Sequence, residues 1–458
     1  MRHRGIVGMF VVTALTAAAC GSDGGAAVPA AEIALHREPT IVMPAELTVV
    51  DADEDGVERV VVDASATADP DGDTLSFRWT SGLDEIARGA VLDRLLPVGD
   101  NVLTLTATDG EGLSDVASIV VHVVSAYDRE PGGPEIALWG GFEMNAGVGR
   151  AQRWFDVPGR VTDPDGIGSL TVSLNGQDLR ELAVGPNGRR LVAPGDFNAD
   201  LARDRLRPGD NVVTIRALDL AGAATTASIR VHNDDDPVPQ PPLEVDWRRQ
   251  ELDGLVEIVD GRWTRDGDRV AIEPDSLGYD RLLAIGDRSW SDYEVDTDVI
   301  VDRVAEHLGP FSNAPGFGLL LRWNGHNDSV APGQQPKAGF RPDQGLTPTP
   351  LGAFLLYQFL PDGTGVLQFQ NHRTVEVARD TSVQVEPGRR YRIRARVVSG
   401  PAGATYTAKL WPADAEEPED WMVTYEAGTT DFEPASGSLV LLTHETAASF
   451  GPVRITGP

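Results

Sequence analysis

The chain has one cysteine, Cys20, so no disulfide can form within it. Basic residues are scarce: 39 Lys and Arg stand against 70 Asp and Glu, a formal net charge of −31. That deficit excludes nucleic acid as a partner, because phosphates need cations to neutralise them. Beyond the first twenty residues no apolar run reaches the roughly 20 residues that cross a bilayer as a helix. Cys-x-x-Cys, His-Glu-x-x-His, Gly-x-Ser-x-Gly and the phosphate-binding glycine loop are all missing. With them go the usual signs of zinc, serine-hydrolase and nucleotide chemistry. Apolar residues at helical spacing are rare as well.

What is present reads as strands and turns. The 458 residues are 41% hydrophobic, with 49 Gly and 32 Pro to punctuate them. That length suits about three domains. β-branched and aromatic residues fall in short runs between turn signals, which predicts an all-β protein. The acidic balance fits a solvated extracellular surface or one that takes up divalent cations.

At the start, Arg2 and Arg4 precede an apolar run, Ile6 to Ala19, that ends Ala17-Ala18-Ala19-Cys20-Gly21. The run has signal-peptide length. It resembles a bacterial lipoprotein signal, residues 1–19, in which Cys20 becomes the lipidated first residue; the alternative is a plain secretory signal. The resemblance implies a lipid anchor, and Gly21 after the cysteine implies the outer membrane or cell surface. Residues 20–31 then read as a flexible tether.

An internal repeat follows. Gly99-Asp100-Asn101-Val102-Leu103-Thr104-Leu105-Thr106-Ala107-Thr108-Asp109 returns 110 residues later as Gly209-Asp210-Asn211-Val212-Val213-Thr214-Ile215-Arg216-Ala217-Leu218-Asp219. Val121-His122 and Val231-His232 continue the match, and Asp69-Pro70-Asp71-Gly72 echoes Asp163-Pro164-Asp165-Gly166. Two modules of one fold are expected, 32–126 and 127–233, each ending in a hairpin. Alternation should bury Leu103, Leu105 and Ala107. Val60 to Ser65, Asp69 to Asp73 and Leu75 to Trp79 resemble the PKD and cadherin-like family, which implies immunoglobulin-like sandwiches acting as spacers or adhesion modules.

Two acidic clusters in the first module could take calcium. Asp51, Asp53 and Asp55 alternate before Gly56, as a calcium loop begins, although Val62 stands where the closing acid belongs. Asp69, Asp71 and Asp73 form a second alternating set. The competing reading is that Asp and Gly simply make turns. Asp163-Pro164-Asp165-Gly166-Ile167 lacks a third acid, so no metal is expected there. Nothing in the sequence requires another cofactor.

Residues 234–242 form a charged, proline-rich linker. From 243 to 458 the strands resume. Asp292 to Val299 and Arg390 to Val397 each alternate apolar with charged residues, acidic in one and basic in the other. One buried and one polar face per strand predicts two stacked antiparallel sheets. Trp290 to Val295, Gly316 to Trp323, Ala408 to Pro412 and Gly437 to Thr443 resemble the concanavalin A-like lectin and glucanase jelly roll, laminin-G type included. The expected architecture is thus two immunoglobulin-like β-sandwiches followed by a concanavalin A-like jelly roll.

That fold carries binding and catalysis alike. Glu294, Asp296 and Asp298 approach the Glu-x-Asp-x-Glu motif of laminarinase-like hydrolases. Retention requires carboxyls about 5–5.5 Å apart; strand positions four apart span roughly 13 Å. A solvated polar face is the competing reading. A long insertion begins at Arg322, Trp323 and His326, with Tyr357, Gln358, Gln370 and His372 after it. Aromatic faces beside amide and cationic donors suit sugar recognition. Ordinary loop and strand-end positions are the alternative for the two histidines. The function expected is a lipid-anchored surface protein whose spacers present a jelly roll that binds carbohydrate or a surface protein. The rivals are a glycoside hydrolase and a structural adhesion protein without a small ligand.

Overall fold

The computed structural model describes residues 37–458 apart from positions 54, 83, 126–131, 147–148, 235–238, 250–254, 306–307, 310–311, 313, 327–350, 373 and 429–432. The signal segment, Cys20, the tether and most of the insertion after His326 lie outside the described residues.

The protein is all-β. In the first sandwich Glu46–Asp51, Ser114–Ser125, Gly99–Thr108, Ser76–Ser81 and Asp84–Arg88 form one sheet in that order, facing the pair Val57–Asp63 and Val91–Pro97. Leu103, Leu105 and Ala107 point inward and are fully buried, as their alternation requires. Trp79 fills the same core and its indole N–H donates to the Gly89 carbonyl, 2.9 Å.

The second sandwich opposes Asp196–Ala202, Trp154–Thr162 and Glu135–Leu138 to a five-stranded sheet built on Ile167–Leu174, Gly209–Asp219 and Ala224–Asn233. The sequence repeat becomes a repeated contact. Asp100 pairs with His122 at 2.5 Å and Asp210 with His232 at 2.7 Å, each directly across a strand pair.

The C-terminal jelly roll stacks a nine-stranded on a seven-stranded sheet. Their inner faces enclose one core that includes Trp247, Tyr293, Phe317, Tyr357, Phe369, Tyr391, Tyr406 and Phe450. On Tyr293–Val304, residues 293, 295, 297 and 299 are buried and the acids between them are not. The seven-stranded sheet departs from the one-polar-face expectation. Gly316–Trp323, Ala353–Phe359 and Ser438–His444 are buried almost throughout, on both faces. Their sequences explain it: Leu319-Leu320-Leu321 and Leu439-Val440-Leu441-Leu442 are continuous apolar runs, the pattern of strands covered on both sides. The outer face holds a second apolar cluster, including Leu282, Leu320, Trp323, Phe354, Leu356 and Leu442, joined by Ala151 of the second sandwich.

Candidate ligand and metal sites

The second sandwich is seated on the end of that outer face, so the two domains share a buried polar seam. Arg190 places two guanidinium nitrogens on Asp200, at 3.0 and 2.8 Å, and its Nε on Asp260 of the jelly roll, at 2.6 Å. His326 Nε2 meets the other Asp260 oxygen at 2.7 Å. Arg203 binds Glu257 at 2.7 Å, and Gln152 donates to both Glu257 and Asp156. Arg153 and Trp154 both donate to the His326 carbonyl. Burial disfavours the charged form of Asp260, but Arg190 and then His326 outweigh it and hold the carboxyl below its usual range.

This seam decides the fate of several expected ligand residues. Trp323 is fully buried in the outer-face cluster, edge-on to His326. Both belong to the domain joint. Arg322, at φ 52° in a strand bulge, is buried and spans Asp292, Glu433 and the Ser399 hydroxyl. Tyr357 points the other way, into the jelly-roll core: it stacks on Phe317, and its hydroxyl accepts the Val385 N–H at 2.8 Å. None of these four offers a free ring or fork to a ligand. The reason is parity and covering: Tyr357 is on the inner face, and the outer-face residues near 323 lie under the second sandwich.

Gln358, Gln370 and His372 face the outer side of the sheet, where Gln358 and His372 are buried and Gln370 is half-buried. Gln368, also buried, joins them; its Nε2 donates to Gln358 Oε1 at 2.5 Å. Alternation along Gly365–Asn371 signals this, since Leu367 and Phe369 fill the core. Gln370 is half-buried, and its Oε1 is buried without a hydrogen-bond partner among the described residues.

Glu294, Asp296 and Asp298 share one face of the nine-stranded sheet, opposite Arg396, Arg394 and Arg392 in register. Arg394 contacts Asp296 at 2.6 Å and Glu294 at 3.6 Å, Arg392 also pairs with Asp296, and Arg269 holds Asp298 at 2.5 Å. The acidic and basic strands thus neutralise each other across the sheet. Each of the three carboxylates faces an arginine, Asp296 and Asp298 in close contact and Glu294 only at 3.6 Å. Trp411 and Trp421 lie on the same face, but Lys409 sits 5.9 and 5.0 Å from their ring centres, with Arg392 over the first and Arg396 over the second.

Three acidic groups have one carboxylate oxygen each within 4.8 Å of the others: Asp51, Asp53 and Asp55; Asp69, Asp73 and Asp109; Asp163, Asp165 and Asp219. Two of these correct the sequence reading. Asp71 leaves its set to bind Arg37 at 2.7 Å, and Asp109 replaces it from the next hairpin. The second sandwich, where no metal was expected, repeats the arrangement, with Asp219 as the third acid. Asp109 and Asp219 are the repeat-equivalent strand ends, so the match was visible but the convergence was not. Each spends Oδ1 on turn amides, from Glu111 and Leu113 or from Ala223. Each keeps a buried Oδ2 with no hydrogen-bond partner among the described residues. All-carboxylate sets of this kind suit calcium. A cavity of about 940 Å³ between the two sandwiches includes Asp163 in its wall.

No family model matches the chain, and no curated protein sequence does. Solved structures do. The exoplasmic domain of VIP36 in its Ca2+/Man-bound form is 10% identical over 48% of this chain and 91% of its own, with a TM-score of 0.31. Peanut lectin with a nine-residue peptide is 6% identical over 47% and 99%, TM-score 0.32. Drosophila N-cadherin EC1-4 is 15% identical over 43% and 50%, TM-score 0.17. These are resemblances of strand layout.

Proposed function

We propose that the protein is an exported, lipid-anchored surface-binding protein in which two sandwiches carry a jelly roll that binds carbohydrate. The amide row Gln358, Gln368 and Gln370 carries the reading, with His372 beside it. Side-chain amides offer paired donors and acceptors, the complement of sugar hydroxyls. Gln370 supplies an acceptor left unsatisfied among the described residues, at the half-buried end of the row.

Calcium is the second part of the proposal. Asp69, Asp73 and Asp109 would hold one ion, and Asp163, Asp165 and Asp219 another, with Asp51, Asp53 and Asp55 a third candidate. The ions would neutralise buried carboxylates and stiffen the sandwiches. Lipidation at Cys20 would tether the array to the outer membrane or cell surface.

The test uses the whole chain after Cys20 on a polysaccharide and glycan panel, with and without calcium. Binding that falls at least tenfold in Gln370→Ala, with unchanged melting temperature, supports the assignment. A silent panel in both conditions rejects carbohydrate and favours the adhesion reading.

A further inference from the structure

In the seam between the second sandwich and the jelly roll, Arg153, Arg190, Arg203 and Arg281 meet a cluster of buried acids. Asp156, Asp200, Glu257 and Asp260 converge there, all buried. Arg190 serves Asp200 and Asp260, Arg203 serves Glu257, and His326 adds to Asp260. Among the described residues no ion pair forms on Asp156, though the charge of Arg190 reaches it. Asp156 stands directly opposite Asp200 in the strand pair Trp154–Thr162 and Asp196–Ala202. Its Oδ2 accepts from Gln152 Nε2 at 2.6 Å, and Glu257 Oε1 accepts its backbone N–H. Its Oδ1 is buried with no hydrogen-bond partner among the described residues. Two adjacent carboxyls out of water cannot both ionise.

We propose that this joint is a proton-held latch: Asp156 stays a neutral acid that donates its proton to Asp200, and losing that proton loosens the second sandwich from the jelly roll. Atoms balance simply, since one O–H···O⁻ bond is replaced by two repelling carboxylates and the proton goes to water. The electrostatics agree. Burial first, then the charge of Asp200 and the hydrogen bond to it, push Asp156 well above the carboxylate range. Burial also works against ionised Asp200, but Arg190 and the hydrogen bonds from Asp156 and Arg190 bring it down to about 2.

The sign follows from linkage. Asp156 binds its proton more tightly folded than unfolded. Its contribution is complete below the ordinary carboxylate range and is lost as pH rises through the raised value. Asp200 and Asp260 have lowered values. Their contributions are present above the ordinary range and fade only in strong acid, so the latch is tightest in mild acid. The groups facing Asp156 are Gln152, Asp200, Arg190 and Glu257, with His326 and Asp260 next to them.

Hydrogen–deuterium exchange on the whole chain after Cys20 tests this, with rates corrected for the intrinsic effect of pH. Above the raised value, Val256–Asp260 and Trp154–Thr162 should open by about tenfold per pH unit, the limit for one proton. The first-sandwich strand Gly99–Thr108 should not respond. Asp156→Asn replaces the donor O–H with an amide N–H and should keep the seam closed while removing its pH response. It should also remove an infrared band of protonated carboxyl. A seam that responds equally in Asp156→Asn, or one that never responds and shows no such band, overturns the proposal.

Discussion

Arg190 of the second sandwich reaches Asp260 of the jelly roll, Nε to Oδ1 at 2.6 Å, with both side chains almost wholly out of water. The two domains are therefore one structural unit, and a jelly roll cut at 243 would expose Asp260, Glu257 and the outer-face leucines. Removing one member of a buried ion pair leaves a charge without a partner. Arg190→Met should lower stability by about 3–5 kcal/mol in denaturant unfolding. A loss under about 1 kcal/mol would show that the seam is hydrated and unimportant.

Calcium should bind the sandwiches and raise their stability. At a hundred times its dissociation constant an ion bound only by the folded state contributes about 2.7 kcal/mol. Calorimetry on Asp219→Asn should count one ion fewer than the unsubstituted chain, and Asp109→Asn likewise. No heat and no chelator effect on melting would dismiss the metal.

The His122–Asp100 pair makes the first module mildly sensitive to base. The hydrogen bond His122 donates to Asp100 raises His122 above its ordinary value, against the opposing effect of burial, with the Asp100 charge adding to the rise. A raised histidine stabilises the fold below about pH 6.5 and loses that contribution as pH climbs through the folded value. NMR titration should find His122 above 6.5, and Asp100→Asn should return it toward that value. A histidine that titrates normally in the intact chain contradicts the pairing.

Tyr357 is a core residue. In Tyr357→Phe the Val385 N–H loses its acceptor, at a cost of about 1–3 kcal/mol. Thermal unfolding should register it, while glycan affinity stays the same. Weakened binding at unchanged stability would return Tyr357 to the ligand site.

Asp296 acts as a bridge between Arg392 and Arg394 across two half-exposed strand positions. Asp296→Asn should cost about 1 kcal/mol or less. Incubation of either protein with polysaccharides should release no reducing ends. Release that disappears in Glu294→Gln would revive the hydrolase reading.

Local order was legible in the chain before any fold was known. Period-two alternation assigned Leu103, Leu105 and Ala107, and Tyr293, Val295 and Val299, to cores, because a strand's side chains can only alternate. The repeat at 110 residues showed two related modules, and the acidic and basic strands were visible as such. Tertiary structure decided what met what. Asp109 lies 36 positions beyond Asp73, and Arg190 lies 70 before Asp260. No periodicity records a contact at that separation. Trp323 and His326 looked like a ligand site because aromatic, cationic and amide groups were dense there. The same groups serve equally well to satisfy a buried joint, and only the seating of one domain on another chose between the two.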